Sequence, residues 1–243
     1  MSAPRGWCEA LYAGAMDPLE DDWTLLTAWR AGDRVAGGRL VQRHFGAVSR
    51  FFRNKVSSAD DAAELVSETF LGCTRARDGF RGDTSFRRYA FAIALNVLRN
   101  YIRQKHKRQG EAIDFGVVCA KDVTPSTMSS VIMRRREAQL LVLALREIPL
   151  DYQIAIELNI FEELSGREIA ELLSIPEGTV RGRLRLGKEQ LRVQLARLAQ
   201  TPAELQATMT DLEGWARKIR RVLDRDDEAE PDPSVGGAAK LEA

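Results

Sequence analysis

The spacing of the apolar side chains is the feature that most restricts the fold of this chain. Apolar residues recur every three or four positions almost throughout, and no segment alternates apolar and polar residues as a half-buried β-strand would. We therefore predict an all-α protein. The predicted helices cover about residues 23–30, 36–56, 60–77, 85–107, 132–198 (with a break at Pro149) and 202–223.

One segment without this periodicity divides the chain. Residues 109–131 contain Gly, Pro and a cluster of Ser and Thr, and we predict a flexible linker there because long structureless loops are uncommon inside a compact domain. The sequence thus predicts two small helical domains joined by a flexible linker. The predicted parts are an N-terminal extension (1–21), a first domain (22–108), the linker (109–131), a second domain (132–199) and a C-terminal helix with an acidic tail (200–243).

The composition argues against several classes of protein. No apolar run approaches the roughly 18–20 residues that a membrane span needs, and the N-terminus has no signal-peptide pattern. We therefore expect a cytoplasmic protein without membrane contact. Three widely spaced cysteines and two histidines argue against a disulfide framework or a metal site. Without a glycine-rich phosphate loop or clustered ligands, the sequence predicts no cofactor, no catalytic residue and no enzymatic activity.

The positive charges are unevenly distributed, although the net charge is only +1. Residues 99–108 carry five cations and no acid, and residues 181–192 carry five cations and a single glutamate. Two separate basic patches on a nearly neutral chain predict contact with a polyanion at two places. The alternative, that these basic runs only solvate helix faces, remains open at this point.

The second basic patch ends a pattern typical of a helix-turn-helix. Ser165 and Glu168 fit a capping box that opens a short helix, "LSIP" forms the turn, and Pro176 suits the first turn of the next helix. In that second helix an apolar stripe is expected to face inward, formed by Val180, Leu184, Leu191 and Leu195. Cations are expected on the outer face, at Arg181, Arg185, Lys188 and Arg192.

This arrangement would place the second helix in the major groove of DNA. Arginine suits that position because its planar fork can bind guanine O6 and N7 together. On this pattern alone, an ordinary solvated amphipathic hairpin is an open alternative.

The first half of the chain carries two further patterns. In "DDAAELVSETFLGCTRARD", Asp61, Glu64 and Glu68 line one helix face while apolar residues occupy another. The segment "DGFRGDTSFRRYAFAIALNVLRNYIRQKHKR" mixes aromatic and basic residues. Rings can stack on unpaired bases, at about 1–3 kcal/mol per base, while cations follow the phosphates. At least two of the four aromatic residues are expected to be ordinary core residues; the four are Phe80, Phe86, Tyr89 and Phe91.

Together these residues resemble the sigma-70 family of bacterial RNA polymerase sigma factors, in its extracytoplasmic-function (ECF) subfamily. "FRGDTSFRRYAFAIALNVLRNYIR" is similar to the promoter-melting segment of the family's region 2, and "ALREIPLDYQIAIELNIFEELSGREIAELLSIPEGTVRGRL" is similar to its region 4. The resemblance runs from about Asp22 to Leu198. It implies that the first domain is a sigma region 2 helical bundle and the second a sigma region 4 helix-turn-helix.

The resemblance also implies roles for individual residues. The −35 promoter element would be read by Thr179, Arg181, Arg183, Arg185 and Lys188. The −10 element would be captured and melted by Phe80, Arg81, Asp83, Thr84, Ser85, Phe86, Asn96, Arg99 and Arg103. The polymerase core would be bound by Asp61, Glu64, Leu65 and Glu68. The implied partners are promoter DNA, core RNA polymerase (the β′ clamp helices and the β flap), and an anti-sigma factor or a regulatory kinase.

Some positions depart from the family pattern. Tyr89 stands where tryptophan is usual, Leu186 and Gly187 interrupt the usual recognition-helix pattern, and Ser174 replaces a common turn glycine. Ala63 stands where the polymerase-binding helix normally carries an acid. The other possible readings are a stand-alone helix-turn-helix regulator, which leaves the melting segment unexplained, and a helical adaptor, which leaves both basic patches unexplained.

The missing acid at Ala63 suggests a hypothesis about control. Phosphorylation of Ser67 or Thr69, on the same helix, would add about −1.5 to −2 charge at neutral pH. That charge would restore affinity for the polymerase. The alternative is that both residues are unmodified surface or core positions of the helix.

Overall fold

The computed structural model describes residues 21–82, 84–107, 114–123 and 136–199, together with Gly214 and Arg217. The N-terminal extension up to residue 20, Asp83 and nearly all of the C-terminal segment lie outside the described residues. Within them the chain is helical, and the only extended pairing is an isolated bridge between Cys119 and Pro149. The all-α prediction is confirmed. No described helix combines the length and the apolar content that crossing a lipid bilayer requires.

The first bundle consists of four helices. They are α1 (Asp22–Arg30), α2 (Arg34–Arg53), α3 (Ala59–Ala76) and α4 (Phe86–Lys107), with a 3-10 turn at Arg77–Gly79. Asp21, Asp33 and Ser58 each accept a backbone N–H bond at the start of α1, α2 and α3, respectively. Because Asp33 caps the chain, α2 begins two residues before the predicted start.

The second bundle contains the helix-turn-helix. Its helices are α6 (Arg136–Arg146), α7 (Leu150–Ile160), α8 (Gly166–Leu173) and α9 (Glu177–Leu198). The predicted capping box of Ser165 and Glu168 is present at the start of α8. Ser174 ends α8 in the left-handed conformation, with φ of 56°, which explains why glycine would also suit this turn. Pro176 is the N-cap of α9 rather than its first helical residue.

Ten residues of the predicted linker, 114–123, have defined structure, including the short helix α5 (Ala120–Val123). The carbonyl oxygens of Phe115 and Val118 accept bonds from the N–H groups of Asp151 and Leu150, at 3.0 and 2.9 Å. These donors belong to the first turn of α7, whose N-cap is a proline without a capping side chain. The linker segment therefore supplies the cap that α7 lacks.

The two bundles pack against each other. Ile154, Leu158 and Ile169 of the second bundle belong to the same buried apolar cluster as Leu26 and Phe52 of the first. Helix α8 contacts α4 directly. A separate apolar cluster, formed by α6, α7 and α9, completes the second bundle. The described residues therefore form a closed arrangement, in which the two predicted domains share part of their core.

Candidate nucleic-acid interface

The outer side of α9 carries a row of cations, which we call the recognition face: Arg181, Arg185, Lys188 and Arg192. Three of them are exposed and Lys188 is half-buried. The adjacent side of α9 is buried, with Val180, Leu191 and Leu195 fully inaccessible to solvent. The predicted division into inner and outer stripes is thus confirmed. Such a face can present several guanidinium groups to a DNA groove at once.

Three further residues of α9 differ in whether they can contact DNA. Thr179 is exposed beside the start of α9, as a groove contact requires. The structure corrects the expectation for Arg183, because its guanidinium turns back to form an ion pair with Asp151 of α7. Gly187 is buried as well: a Cβ atom there would lie 3.0 Å from both Tyr152 and Ile156. The glycine therefore permits the close crossing of α7 and α9, and it is not a groove position.

The aromatic residues of the expected melting segment form a cluster around Tyr89. The centre of the Tyr89 ring lies 4.6 Å from that of Phe80 and 5.9 Å from that of Phe86, and the Phe80 and Phe86 ring centres are 6.4 Å apart. Phe86 is only 2% exposed, which corrects the expectation that it captures a base. Phe91 is also buried, so the prediction that at least two aromatic residues serve the core is confirmed. Phe80 and Tyr89 remain partly accessible.

The other residues expected at the −10 element lie on α4 or just before it. Asn96, Arg99 and Arg103 follow one another at three- and four-residue spacing along one face of α4, which we call the melting face. Asn96 and Arg103 are exposed, and Arg99 is half-buried. Arg81, Thr84 and Ser85 precede α4; the first and last are exposed, and Asp83 lies outside the described residues.

The acidic face of α3 is the third surface. Glu64 and Glu68 are exposed, and the carboxylate of Asp61 accepts hydrogen bonds from Lys105 Nζ at 2.9 Å and from the Tyr101 hydroxyl. These bonds, that of Lys105 first, lower the pKa of Asp61. The structure corrects the expectation for Leu65, which is 4% exposed and faces the bundle core.

Sequence reasoning missed two members of this surface. Asp60 and the 54%-exposed Leu71 point to the same side as Glu64, since helical residues three, four or seven apart share a face. The spacing of these residues was a sufficient signal. We define the acidic face as Asp60, Glu64, Glu68 and Leu71.

The two candidate phosphorylation sites are not equivalent. Ser67 is exposed beside the acidic face. Thr69 is fully buried on the opposite side of α3, and its hydroxyl donates a 2.8 Å hydrogen bond to the carbonyl oxygen of Leu65. A kinase cannot reach this hydroxyl in the folded bundle. The structure therefore corrects the Thr69 hypothesis and leaves Ser67.

Buried charges lie between the two bundles, and sequence reasoning missed them. Glu162 accepts hydrogen bonds from Arg50 at 2.8 Å and from Arg87 at 2.7 Å. Glu157 binds the ammonium of Lys55, whose pKa is lowered by burial against the opposing effect of Glu157. We call these five residues the interdomain charge cluster. The sequence of α7 carried a signal for this burial. Apolar residues occupy nearly every side of the helix, which indicates that the whole helix is buried, Glu157 included.

Comparison with known proteins covers both bundles. The chain matches the family models described as Sigma-70 region 2, over residues 40–108, and Sigma-70, region 4, over residues 138–191. It is 28% identical over 177 residues to the ECF RNA polymerase sigma-E factor of Escherichia coli (strain K12), covering 70% of this chain and 92% of the relative. The corresponding factor of Haemophilus influenzae is 29% identical over 180 residues, covering 70% of this chain and 93% of the relative.

Two solved structures share the fold. CnrH in complex with the cytosolic domain of CnrY matches with a TM-score of 0.53 and 23% identity, covering 73% of this chain and 99% of that one. The sigma factor RpoE of Bartonella quintana, solved with the anti-sigma factor NepR, matches with a TM-score of 0.50 and 20% identity, covering 64% and 94%. At these identities the likeness concerns the fold of the helical bundles.

Proposed function

Because this chain belongs to the sigma-70 family of RNA polymerase sigma factors, we propose that it is an ECF-type initiation factor that binds core polymerase and directs transcription from specific promoters. In this proposal the recognition face of α9 reads the −35 element, and the melting face with the Phe80 loop engages the −10 element. The acidic face of α3 binds the β′ clamp helices, and the second bundle contacts the β flap. The domain limits 22–108, 109–131 and 132–199 form part of this proposal.

One observation supports this proposal over the others: the recognition face and the melting face lie on different bundles. The recognition face belongs to a helix-turn-helix, which suits paired DNA, whereas the melting face belongs to the helix that carries Tyr89, whose ring packs with Phe80 and suits opened DNA. A stand-alone helix-turn-helix regulator needs only the first of these faces. Since the polymerase core would perform the chemistry in the cytoplasm, no catalytic residue of this chain is required.

The experiment that tests the proposal is in vitro transcription with purified bacterial core polymerase and a promoter library. Defined start sites that appear only when this protein is added support it. Duplex binding without any effect on initiation would favour the stand-alone regulator instead.

The closed arrangement must open during this function. The −35 and −10 promoter elements lie about 25 base pairs apart, which corresponds to a distance of roughly 85 Å along the DNA at about 3.4 Å per base pair. A compact chain of this length has a radius of gyration of about 18 Å and is thus only about 45 Å across. Moreover, Arg88 at the start of α4 bonds to Glu171 of α8 at 2.7 Å, so the second bundle also holds the helix that carries the melting face. We infer that the bundles separate when the chain engages a promoter.

Arg181 offers a direct test of base reading. Arg181→Ala is expected to cost about 1–3 kcal/mol at selected promoters and to relax specificity at one −35 position. Arg183→Ala is a matched control, because its guanidinium bonds to Asp151 inside the bundle. The measurement is promoter selection in parallel with salt-dependent binding. An equal loss on every sequence, with a shallower salt slope, would make Arg181 a phosphate contact.

Phosphorylation of Ser67 remains a proposal about control. Ser67→Glu is expected to tighten binding to core polymerase several-fold, because it adds a charge beside the acidic face, where Ala63 leaves one missing. Thr69→Glu instead places a carboxylate in the buried side of α3 and is expected to lower stability without any gain in affinity. The two variants are compared by titration against core polymerase and by thermal unfolding. Unchanged affinity in Ser67→Glu would end the hypothesis.

Partners outside the polymerase are also proposed by analogy. Both structural relatives were solved with a bound protein, one of them named as an anti-sigma factor. We therefore propose that an anti-sigma factor or a kinase acting on Ser67 controls this protein.

A further inference from the structure

A side chain of helix α1 binds the backbone of the loop that precedes α4. The guanidinium of Arg30 donates hydrogen bonds to the carbonyl oxygen of Arg77, from Nε at 2.9 Å and from Nη2 at 2.5 Å. The same Nη2 also donates to the carbonyl oxygen of Phe80. One side chain thus holds the backbone of this loop at two positions, 47 and 50 residues further along the chain.

A tryptophan on the same helix holds the far end of the loop. Gly82 has a φ of 80° and lies directly against the Trp23 ring, where a Cβ atom would be 2.3 Å from Cζ3. The Arg30 guanidinium lies 5.6 Å from the centre of the Trp23 ring, so the two gripping side chains support each other. Arg77 in turn covers the Trp29 ring at 5.5 Å.

Helix α1 is itself fixed to the bundle. Asp22 accepts hydrogen bonds from Arg43 and His44 of α2, at 2.9 and 2.8 Å. The His44 ring lies 5.4 Å from Phe86, the first residue of α4. The helix that carries Arg30 and Trp23 is therefore fixed to α2 and, through the His44–Phe86 ring contact, to the start of α4. Trp23 and Arg30 precede residue 40, where the match to the family model begins, whereas the loop that they contact lies inside the matched region.

We propose that Arg30 and Trp23 are positioning residues that hold the loop of residues 77–82 in the shape that selects the −10 base. The inference rests on the proposed function, in which Phe80 and the residues after it capture a base from opened DNA. Selection of one base requires contacting groups held within about 0.5 Å of their productive positions. The loop has only one short 3-10 turn of its own, so an outside support is needed.

The chemistry of the guanidinium suits this task. A turn leaves carbonyl oxygens without helical partners, and the fork of an arginine can satisfy two of them with fixed directions. A lysine at the same place supplies a positive charge but not the planar set of donors. The side chain therefore acts through its geometry, and a charge-conserving substitution is not expected to replace it fully.

The test is promoter selection with holoenzyme, using a library randomised at both elements. The variants are Arg30→Ala, Arg30→Lys and Trp23→Ala, and the control is Arg34→Ala, which removes an exposed arginine at the start of the neighbouring helix. A wrong base in a recognition site typically lowers affinity about 5- to 150-fold. We expect Arg30→Ala to reduce the preference at the −10 base about tenfold, Arg30→Lys and Trp23→Ala to reduce it less, and preference at the −35 element to stay as in the wild type.

The outcomes separate positioning from general support of the fold. Equal loss of preference at both elements together with a lower melting temperature would assign Arg30 a merely structural role and overturn the proposal. Unchanged −10 preference in Arg30→Ala would overturn it as well. Trp23→Ala keeps the test decisive if Arg30→Ala fails to fold, because the Trp23 ring is 49% exposed. If the wild-type holoenzyme selects no sequence at all, the proposed function fails instead.

Discussion

Replacing Glu162 with glutamine is expected to weaken the closed arrangement of the two bundles by about 3 kcal/mol, a more than hundredfold change in the docking equilibrium. Glu162 is 6% exposed and is the shared partner of Arg50, which is 3% exposed, and of Arg87. Removing one member of a buried ion pair costs about 3–5 kcal/mol because the remaining charge stays desolvated. In this case a guanidinium would be left in the interface.

The penalty falls on docking rather than on either bundle. Arg50 and Arg87 belong to the first bundle, whereas Glu162 follows α7 in the second, so separation returns both guanidinium groups to water. The radius of gyration from solution scattering should therefore rise in Glu162→Gln. Helix content should stay near the wild-type value. If the bundles separate on promoter binding, as we propose, the variant should also form promoter complexes at lower protein concentration.

Glu163→Gln provides a matched control. It is the same chemical change one residue further along, at an exposed position. We expect the radius of gyration of Glu163→Gln to stay close to that of the wild type, because Glu163 is not a member of the interdomain charge cluster. If Glu162→Gln and Glu163→Gln behave alike, the interdomain charge cluster does not hold the bundles together.

The sequence was sufficient for what depends on local periodicity. The capping box of Ser165 and Glu168 and the buried stripe of α9 depend on neighbours within one or two turns, so both could be predicted directly from the pattern. The same is true of the acidic face, where Asp60 and Leu71 could have been added by counting positions along α3. In each case one helix defines the feature.

Features that join distant segments could not be predicted in this way. Arg183 is two residues from Arg181, so spacing alone places it off the recognition face, but spacing could not identify Asp151 on another helix as its partner. The carboxyl groups of Glu157 and Glu162 are buried, and their partners, Lys55 and Arg50, lie about a hundred positions earlier in the chain. The Arg30 contact with Phe80 likewise depends on the packing of α1. These sites are determined by contacts between residues that are distant in sequence, and not by the local helix propensity of each segment.

The second large effect is expected at the acidic face of α3. Reversing both Glu64 and Glu68 to lysine should lower affinity for core polymerase at least about a hundredfold, or roughly 2.7 kcal/mol. Both residues are exposed, so the substitutions leave the bundle core intact. Each one replaces an attraction with a repulsion if the facing surface is basic, and like-charge contacts across an interface cost several kcal/mol.

The structure favours these two residues over Asp61 for this test. Asp61 is already engaged by Lys105 and Tyr101, so its replacement would also disturb the contact between α3 and α4. The exposed Leu71 follows Glu68 on the same side of α3 and adds apolar contact area at the C-terminal end of this surface.

Graded substitutions decide whether charge is the cause. The variant with glutamine at both positions should have an affinity for core polymerase between those of the wild type and the double reversal. Raising the salt concentration should reduce the differences in affinity among the three proteins, because exposed charges are screened. Asp122→Lys in α5 is the control for a charge reversal elsewhere on the surface, and it should bind core polymerase as the wild type does. Binding is measured by titration of fluorescently labelled protein with core polymerase. A double reversal that binds with unchanged affinity would remove α3 from the polymerase interface, and the proposed effect of phosphate at Ser67 would lose its basis with it.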